Sequence, residues 1–216
     1  MNEAKQIRIA AKERAAAEVE AIRASHGEFV PFPKIGRLSR EIIVTEKIDG
    51  TNALVAIGED GTVRAGSRTK WIVPADDNHG FARWVEQHRH ELMTLGPGRH
   101  FGEWWGTGIQ RSYHLSEKRF SLFNVRRWDD ALRDPDKPPR PACCHVVPIL
   151  WTGDFDTAEI MRVMSDLAAT GSQAAPGFIK PEGVVVFHSQ SGALFKKTFE
   201  KDDAGKGKEP DHEIDA

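Results

Sequence analysis

Three kinds of side chain in this sequence stand where they could do chemistry. Lys47 closes a β-branched run and is followed by Asp49-Gly50, so its amine can project from a strand end into a cleft. Glu103 and Glu182 each interrupt a hydrophobic stretch, with Phe101 and Trp104-Trp105 around the first and Val184 to Phe187 beside the second. Carboxylates are rarely buried without a partner, so both ask for a cation, a sugar hydroxyl or a metal. Arg68, in Ser67-Arg68-Thr69, carries the planar fork suited to bidentate phosphate recognition. Each has an ordinary reading when taken alone: an exposed strand lysine, an edge glutamate paired with a lysine, a surface arginine. Asp49 alone is turn chemistry.

The elements that must position these residues are read from periodicity. Met1 to His26 is an Ala-rich predicted helix with a thin apolar stripe of Ile7, Ala10, Val19 and Ile22, closed by Gly27 and followed by Pro31 and Pro33. It reads as a solvated surface helix or an arm that docks. Strand texture begins near Arg40: Glu41 to Lys47, then Ala53 to Ile57 and Thr62 to Ala65 around Glu59-Asp60-Gly61. Phe81 to Leu95 is a predicted helix ended by Gly96-Pro97-Gly98. His100 to Trp105, Phe120 to Trp128 and His145 to Trp151 are strand candidates, the second of which would bury Phe123 by alternation. Asp156 to Ala169 is a helix with an Asp/Thr start and Gly171 after its end. Pro181 to His188 and Ala193 to Phe199 form a last hairpin. Sequential hairpins with interspersed helices predict an α+β domain on mostly antiparallel sheet. The expected organisation is a helical extension over 1–27, a domain over 28–200 and a disordered tail over 201–216.

Composition bounds the function. The 216 residues hold 30 basic and 32 acidic side chains, a net charge of −2, so any nucleic-acid contact must come from a local patch. Arg111, Lys118, Arg119, Arg126 and Arg127 form the densest such stretch, either a phosphate track or a solvated face. Six Trp and eleven Phe are enough to build a core, which excludes chain-wide disorder; Trp71, Trp104, Trp105, Trp128 and Trp151 are expected in the core or the cleft wall. No run of eighteen apolar residues and no apolar signal core occurs, so a cytoplasmic protein without a membrane partner is expected. Cys143 and Cys144 are adjacent, useless as a disulfide framework, and the nine histidines lack partners at metal spacing.

The segments gain weight from their order. Glu46-Lys47-Ile48-Asp49-Gly50-Thr51-Asn52, Ser67-Arg68, Phe101-Gly102-Glu103 running to Gly106-Thr107-Gly108-Ile109-Gln110, Leu122-Phe123, Glu182-Gly183-Val184-Val185-Val186 and Phe195-Lys196-Lys197-Thr198 follow one another along the chain. Together they resemble the covalent nucleotidyltransferase superfamily of polynucleotide ligases and capping enzymes. The wording around Lys47 and Glu103 is most similar to the RNA ligase branch whose best-known member seals nicks in double-stranded RNA. The resemblance runs from about Ile43 to Phe199. It implies an ATP-grasp-like nucleotidyltransferase domain, with mostly antiparallel sheets flanking a nucleotide cleft.

It also implies roles. Lys47 would attack the α-phosphate of ATP to form a lysyl-AMP phosphoramide. Only a trace of an ordinary lysine is the free amine at neutral pH, so the cleft must draw its proton away. Glu46 would help hold the adenine, Phe123 would stack on it, and Asn52 would lie near the nucleotide. Arg68 would touch the ribose or an incoming 5′-phosphate, and Glu103 the ribose. Glu182 would support a Mg²⁺ or Mn²⁺ ion, hard cations that prefer oxygen. Lys196 would neutralise the α-phosphate. The chain departs from the pattern at Asp49, where some near relatives carry His, and at Thr198, where they carry a second lysine. Lys197 is adjacent but should face the other way.

The implied activity is ATP-dependent sealing of RNA with 5′-phosphate and 3′-hydroxyl ends, for RNA repair. The alternatives are a minimal DNA ligase or end-adenylylating enzyme, and, from another class, a nucleotide- or RNA-binding module without turnover. Only twenty residues follow Lys196. A bare adenylation domain is therefore expected, with any further RNA grip supplied by a protein partner.

Overall fold

The computed structural model describes residues 3–200 and residue 202. The expected tail, but for Asp202, lies outside the described residues. The chain divides into two compact units at Gly36. The first contains α1 (Glu3–His26), whose last carbonyls are closed by Gly27 at φ 80°. Its weak apolar stripe stays exposed, including Ile7, Val19 and Ile22. That fits a helix stabilised by Ala-rich propensity more than by packing. No helix among the described residues is long and apolar enough to cross a membrane.

The second unit is built on two sheets. The smaller takes β1 (Glu41–Lys47), β8 (Ile149–Asp154), β9 (Gly183–His188) and β10 (Ala193–Thr198) in the order β10-β9-β1-β8, all antiparallel. The larger takes β2 (Thr51–Ile57), β3 (Val63–Gly66), β4 (Trp71–Ile72), β5 (Gly98–Gly106), β6 (Lys118–Leu122) and β7 (Cys144–Val146) in the order β4-β3-β2-β5-β6-β7. Only the β6–β7 pair in it is parallel. The α+β architecture on mostly antiparallel sheet is thus as the periodicity implied.

Three apolar clusters hold the unit together. On one side of the larger sheet, Val55, Ala65, Trp104 and Phe120 pack against Phe81 and Val85 of α2 (Phe81–Gln87). The smaller sheet packs Ile42, Val44, Val184 and Val186 against Ile160, Val163 and Leu167 of α5 (Thr157–Thr170), which Asp156 caps by accepting the Ala158 amide. Between the sheets, Ile43, Trp105, Tyr113, Val147 and Phe178 form the third cluster. Burying these side chains stabilises each by about 1.5–3 kcal/mol.

Three predicted elements are corrected. The helix expected over Phe81 to Leu95 breaks at His88, whose φ of −101° and ψ of 15° leave α3 (Arg89–Leu92) and a 3₁₀ turn (Met93–Leu95) as separate pieces. The strand expected over Phe120 to Trp128 stops at Leu122. Asn124 then accepts the Arg127 amide and starts the single-turn α4 (Val125–Trp128). The strand expected over His145 to Trp151 is two strands in different sheets, parted by Val147-Pro148. Proline has no amide to continue a ladder.

Candidate functional site

The site begins at the end of β1. This strand is the second from the edge of the smaller sheet and buried on both faces, so the chain can leave its end only by a tight turn into β2. Gly50 makes that turn possible. A Cβ there would meet the Trp104 carbonyl oxygen at 2.5 Å. The turn sets Lys47 at the lip of the smaller sheet and Asn52 on the facing strand of the larger.

In register, Lys47 lies opposite Gly183, and Gly183 opposite Thr198. Lys47 donates from Nζ to Glu182 Oε2 at 2.6 Å. Gly183 is obligatory for this approach: its φ is 149°, and a Cβ would sit 2.2 Å from the Lys197 carbonyl oxygen. Asn52 lies opposite Glu103 on β5. Glu103 is 7% exposed. Its Oε1 accepts the Gly50 amide and its Oε2 the Asn52 Nδ2, each at 3.1 Å. Burial pushes its carboxyl up to about 7, against the pull of the Lys47 charge and these two donors. Lys47, Asn52, Glu103 and Glu182 therefore form one group at the mouth of the two sheets.

Lys196 lies opposite Val185, which pairs with Thr45, so it shares the Lys47 face two residues further along and is exposed. Lys197 lies opposite Val184 and hence on the face of Glu46; its Nζ bonds Asp202 at 2.8 Å. Thr198, which stands where near relatives of the resembled branch carry a second lysine, is buried, and its hydroxyl donates to the Glu200 carbonyl. The alternation argument made from the sequence thus holds.

Glu46 is only 1% exposed. Oε2 accepts the Gln173 and Ala174 amides at 2.8 and 2.9 Å. Burial raises its carboxyl above the ordinary range, against the pull of the Ser172 hydroxyl and those two amides. Phe123, expected inside a strand, instead follows β6 with 42% of its surface exposed, its amide donating to the Phe101 carbonyl. Arg68 is exposed just past β3, with no ion pair among the described residues.

Two site residues escaped the motifs. Tyr113 and Arg111 lie in the loop after β5, where Gln110, Ser112, Tyr113 and His114 all have positive φ between 42° and 55°. Such conformations are costly for side chains other than glycine. The Tyr113 hydroxyl accepts the Asp49 amide at 2.7 Å, and Arg111 Nε donates to Asp49 Oδ2 at 2.9 Å. Arg111 also donates to the Lys180 carbonyl. Asp49 is thus a braced turn residue. The only signal was that Tyr113 is the single tyrosine of the chain. The other members of the basic stretch each have a partner within the fold: Lys118 bonds the His79 carbonyl, Arg119 Glu117, Arg126 Glu41 and Arg127 the Leu95 carbonyl.

No three His, Cys, Asp or Glu side chains converge as a cation cage among the described residues. Glu182 nevertheless fits a cation that brings most of its oxygens from phosphates and water, the usual habit of Mg²⁺. It is a partly exposed carboxylate with one oxygen outside the Lys47 bond.

The two sheets thus meet over a lysine, two glutamates and an asparagine. The profile of the RNA ligase family matches residues 40–198, and the chain belongs to that family. No curated protein matches it. Among solved structures it is similar to Naegleria gruberi RNA ligase. A variant with AMP and Mn aligns at TM-score 0.54 and 18% identity, over 74% of this chain and 50% of that one. A variant with ATP and Mn aligns at 0.52 and 18%, over 74% and 49%. A ligand-free variant aligns at 0.53 and 19%, over 80% and 58%. The chain spans about half the length of these structures, and at such identities the likeness shows the fold.

Proposed function

We propose that this chain is the adenylylating domain of an ATP-dependent RNA ligase. The observation that carries the reading is the Lys47–Glu182 contact of 2.6 Å beside the buried Glu103. In the first step the Lys47 amine attacks the α-phosphorus of ATP. The P–N bond forms, the bond to pyrophosphate breaks, and the ammonium proton passes to Glu182, already in hydrogen-bond reach. An RNA 5′-phosphate oxygen then attacks the same phosphorus, and the P–N bond breaks as the amine recovers a proton. A 3′-hydroxyl finally displaces AMP to leave a phosphodiester.

Glu182 would hold Mg²⁺ or Mn²⁺, which would withdraw charge from the triphosphate. Lys196, on the Lys47 face, would neutralise the α-phosphate. Asn52 orients Glu103 toward the ribose, and Arg68, unengaged by the fold, is free for a phosphate. Phe123 offers an exposed ring for the adenine. Glu46 faces away from Lys47 on its strand, so it would help hold the adenine from the strand edge or through its backbone. Sealing in the cell takes place in the cytoplasm, with a protein partner where additional RNA grip is needed.

Incubation with α-labelled ATP and a divalent cation, followed by a denaturing gel, tests the reading. A labelled band that disappears in Lys47→Ala is expected. No band, or a label that survives the substitution, would refute it. Nicked RNA, nicked DNA and single-stranded RNA compared as substrates separate an RNA ligase from a DNA ligase.

A further inference from the structure

The side of the larger sheet that carries Glu103 is open to solvent away from the cleft, and its side chains have an unusual composition. The register places Trp71 of β4 opposite Gly66, Gly66 opposite Leu54, and Leu54 opposite Phe101 of β5, in one row across four strands. Phe123 joins the row through its bond to Phe101. Trp71 is 57% and Phe101 54% exposed, so of the two places expected for Trp71, core or cleft wall, the core is excluded. Gly66 contributes no side chain, which leaves Leu54 as a flat floor between the rings. At about 4.8 Å per strand spacing, β4 and β5 lie roughly 14 Å apart.

The neighbouring row outward is basic. Arg64 lies opposite Ala56, and Ala56 opposite Arg99. Both arginines are exposed, and neither has an ion pair among the described residues, in contrast to Arg111, Arg119 and Arg126. The face thus offers unpaired aromatic rings with arginines along one side. The row inward from Phe101 on the same face is Glu103, opposite Asn52.

We propose that this face is a stacking platform for single-stranded RNA, leading a strand end into the Lys47 cleft. Unpaired bases stack on Trp71 and Phe101, and their phosphates are neutralised by Arg64 and Arg99. A duplex presents no base faces to such rings and would meet only the arginines. A protein partner would be expected to engage an apolar patch without demanding two unpaired guanidiniums beside it. The proposal rests on the RNA ligase reading only in its choice of a polynucleotide as occupant.

The test is binding of a fluorescein-labelled 12-nucleotide single-stranded RNA to the full chain, read by anisotropy at several salt concentrations. Trp71→Ala and Phe101→Ala should each weaken binding about 5- to 100-fold. Arg64→Gln with Arg99→Gln should reduce the slope of log affinity against log salt by about 1.4, a change that a merely structural role would not produce. All four side chains are exposed, and an unchanged thermal midpoint verifies the fold of each variant. Unaltered affinity in both aromatic variants overturns the proposal. So does equal competition by a duplex of the same length, or self-association that Trp71→Ala abolishes while RNA affinity stays constant. Adenylylation is measured on the same preparations. A chain that takes AMP on Lys47 but shows none of these binding effects refutes the platform alone.

Discussion

Glu103 makes stability depend on pH in a direction opposite to the usual carboxylate. Its carboxyl is pushed from its ordinary 4.5 to about 7, chiefly by burial, with Lys47, Asn52 and Gly50 acting against that rise. Below about pH 4.5 the group is protonated in folded and unfolded chains alike and contributes its full stability. Between 4.5 and about 7 the unfolded chain releases the proton while the folded chain retains it, so stability declines as pH rises. Above about 7 both states are ionised and the loss is complete. The displacement corresponds to ~3 kcal/mol, from 1.36 kcal/mol per pH unit. Glu103→Gln removes the titration and keeps the volume, with the amide oxygen still able to accept from Gly50 or Asn52. The variant should match the parent near pH 4.5 and exceed it by ~3 kcal/mol near pH 8, while losing adenylylation if Glu103 serves the ribose. Urea unfolding at pH 4.5, 6 and 8 measures this. A stability difference that stays constant across that range would refute the argument, because burial of the ionised carboxylate would then cost nothing measurable.

Other substitutions probe the supports of the cleft. Tyr113→Phe removes the acceptor of the Asp49 amide and should cost about 1–3 kcal/mol in urea unfolding. Arg111→Gln frees Asp49 and the Lys180 carbonyl; it should lower the rate of lysyl-AMP formation with little change in KM for ATP, since it touches the turn and not the nucleotide. Gly183→Ala places a Cβ 2.2 Å from the Lys197 carbonyl oxygen and should destabilise by more than about 2 kcal/mol, visible as a large fall in thermal midpoint. Glu46→Ala removes the acceptor of the Gln173 and Ala174 amides and should cost about 1–3 kcal/mol in urea unfolding.

The sequence carried the surroundings of Lys47 because they are built from local signals. Lys47 ends a β-branched run, and Glu182 sits beside an obligatory glycine, so each motif brings its own backbone geometry. Opposite faces for Lys196 and Lys197 followed from strand alternation alone. What local patterns could not hold is pairing at a distance. The Arg111–Asp49 bond spans 62 residues and depends on a loop of left-handed residues that no propensity announces. The strand expected over Phe120 to Trp128 overruns because an apolar alternation continues past Leu122, while the Asn124 cap decides the turn. In the same way His145 to Trp151 reads as one strand, although Pro148 divides it between two sheets. Residue type alone left Trp71 between the core and the cleft wall, and the register places it on an open face.

The topology also orders events during synthesis. Strands β2 to β7 complete the larger sheet between residues 51 and 146, whereas β1 must wait for β8, β9 and β10. Lys47 and Glu182 are 135 residues apart in the chain. At about 5–20 residues per second, the ribosome reaches Glu182 roughly 7–27 s after Lys47. The larger sheet can consolidate in that interval with its own helix already beneath it. A nascent chain therefore passes through a stage with the larger sheet in place and the Lys47–Glu182 contact not yet formed.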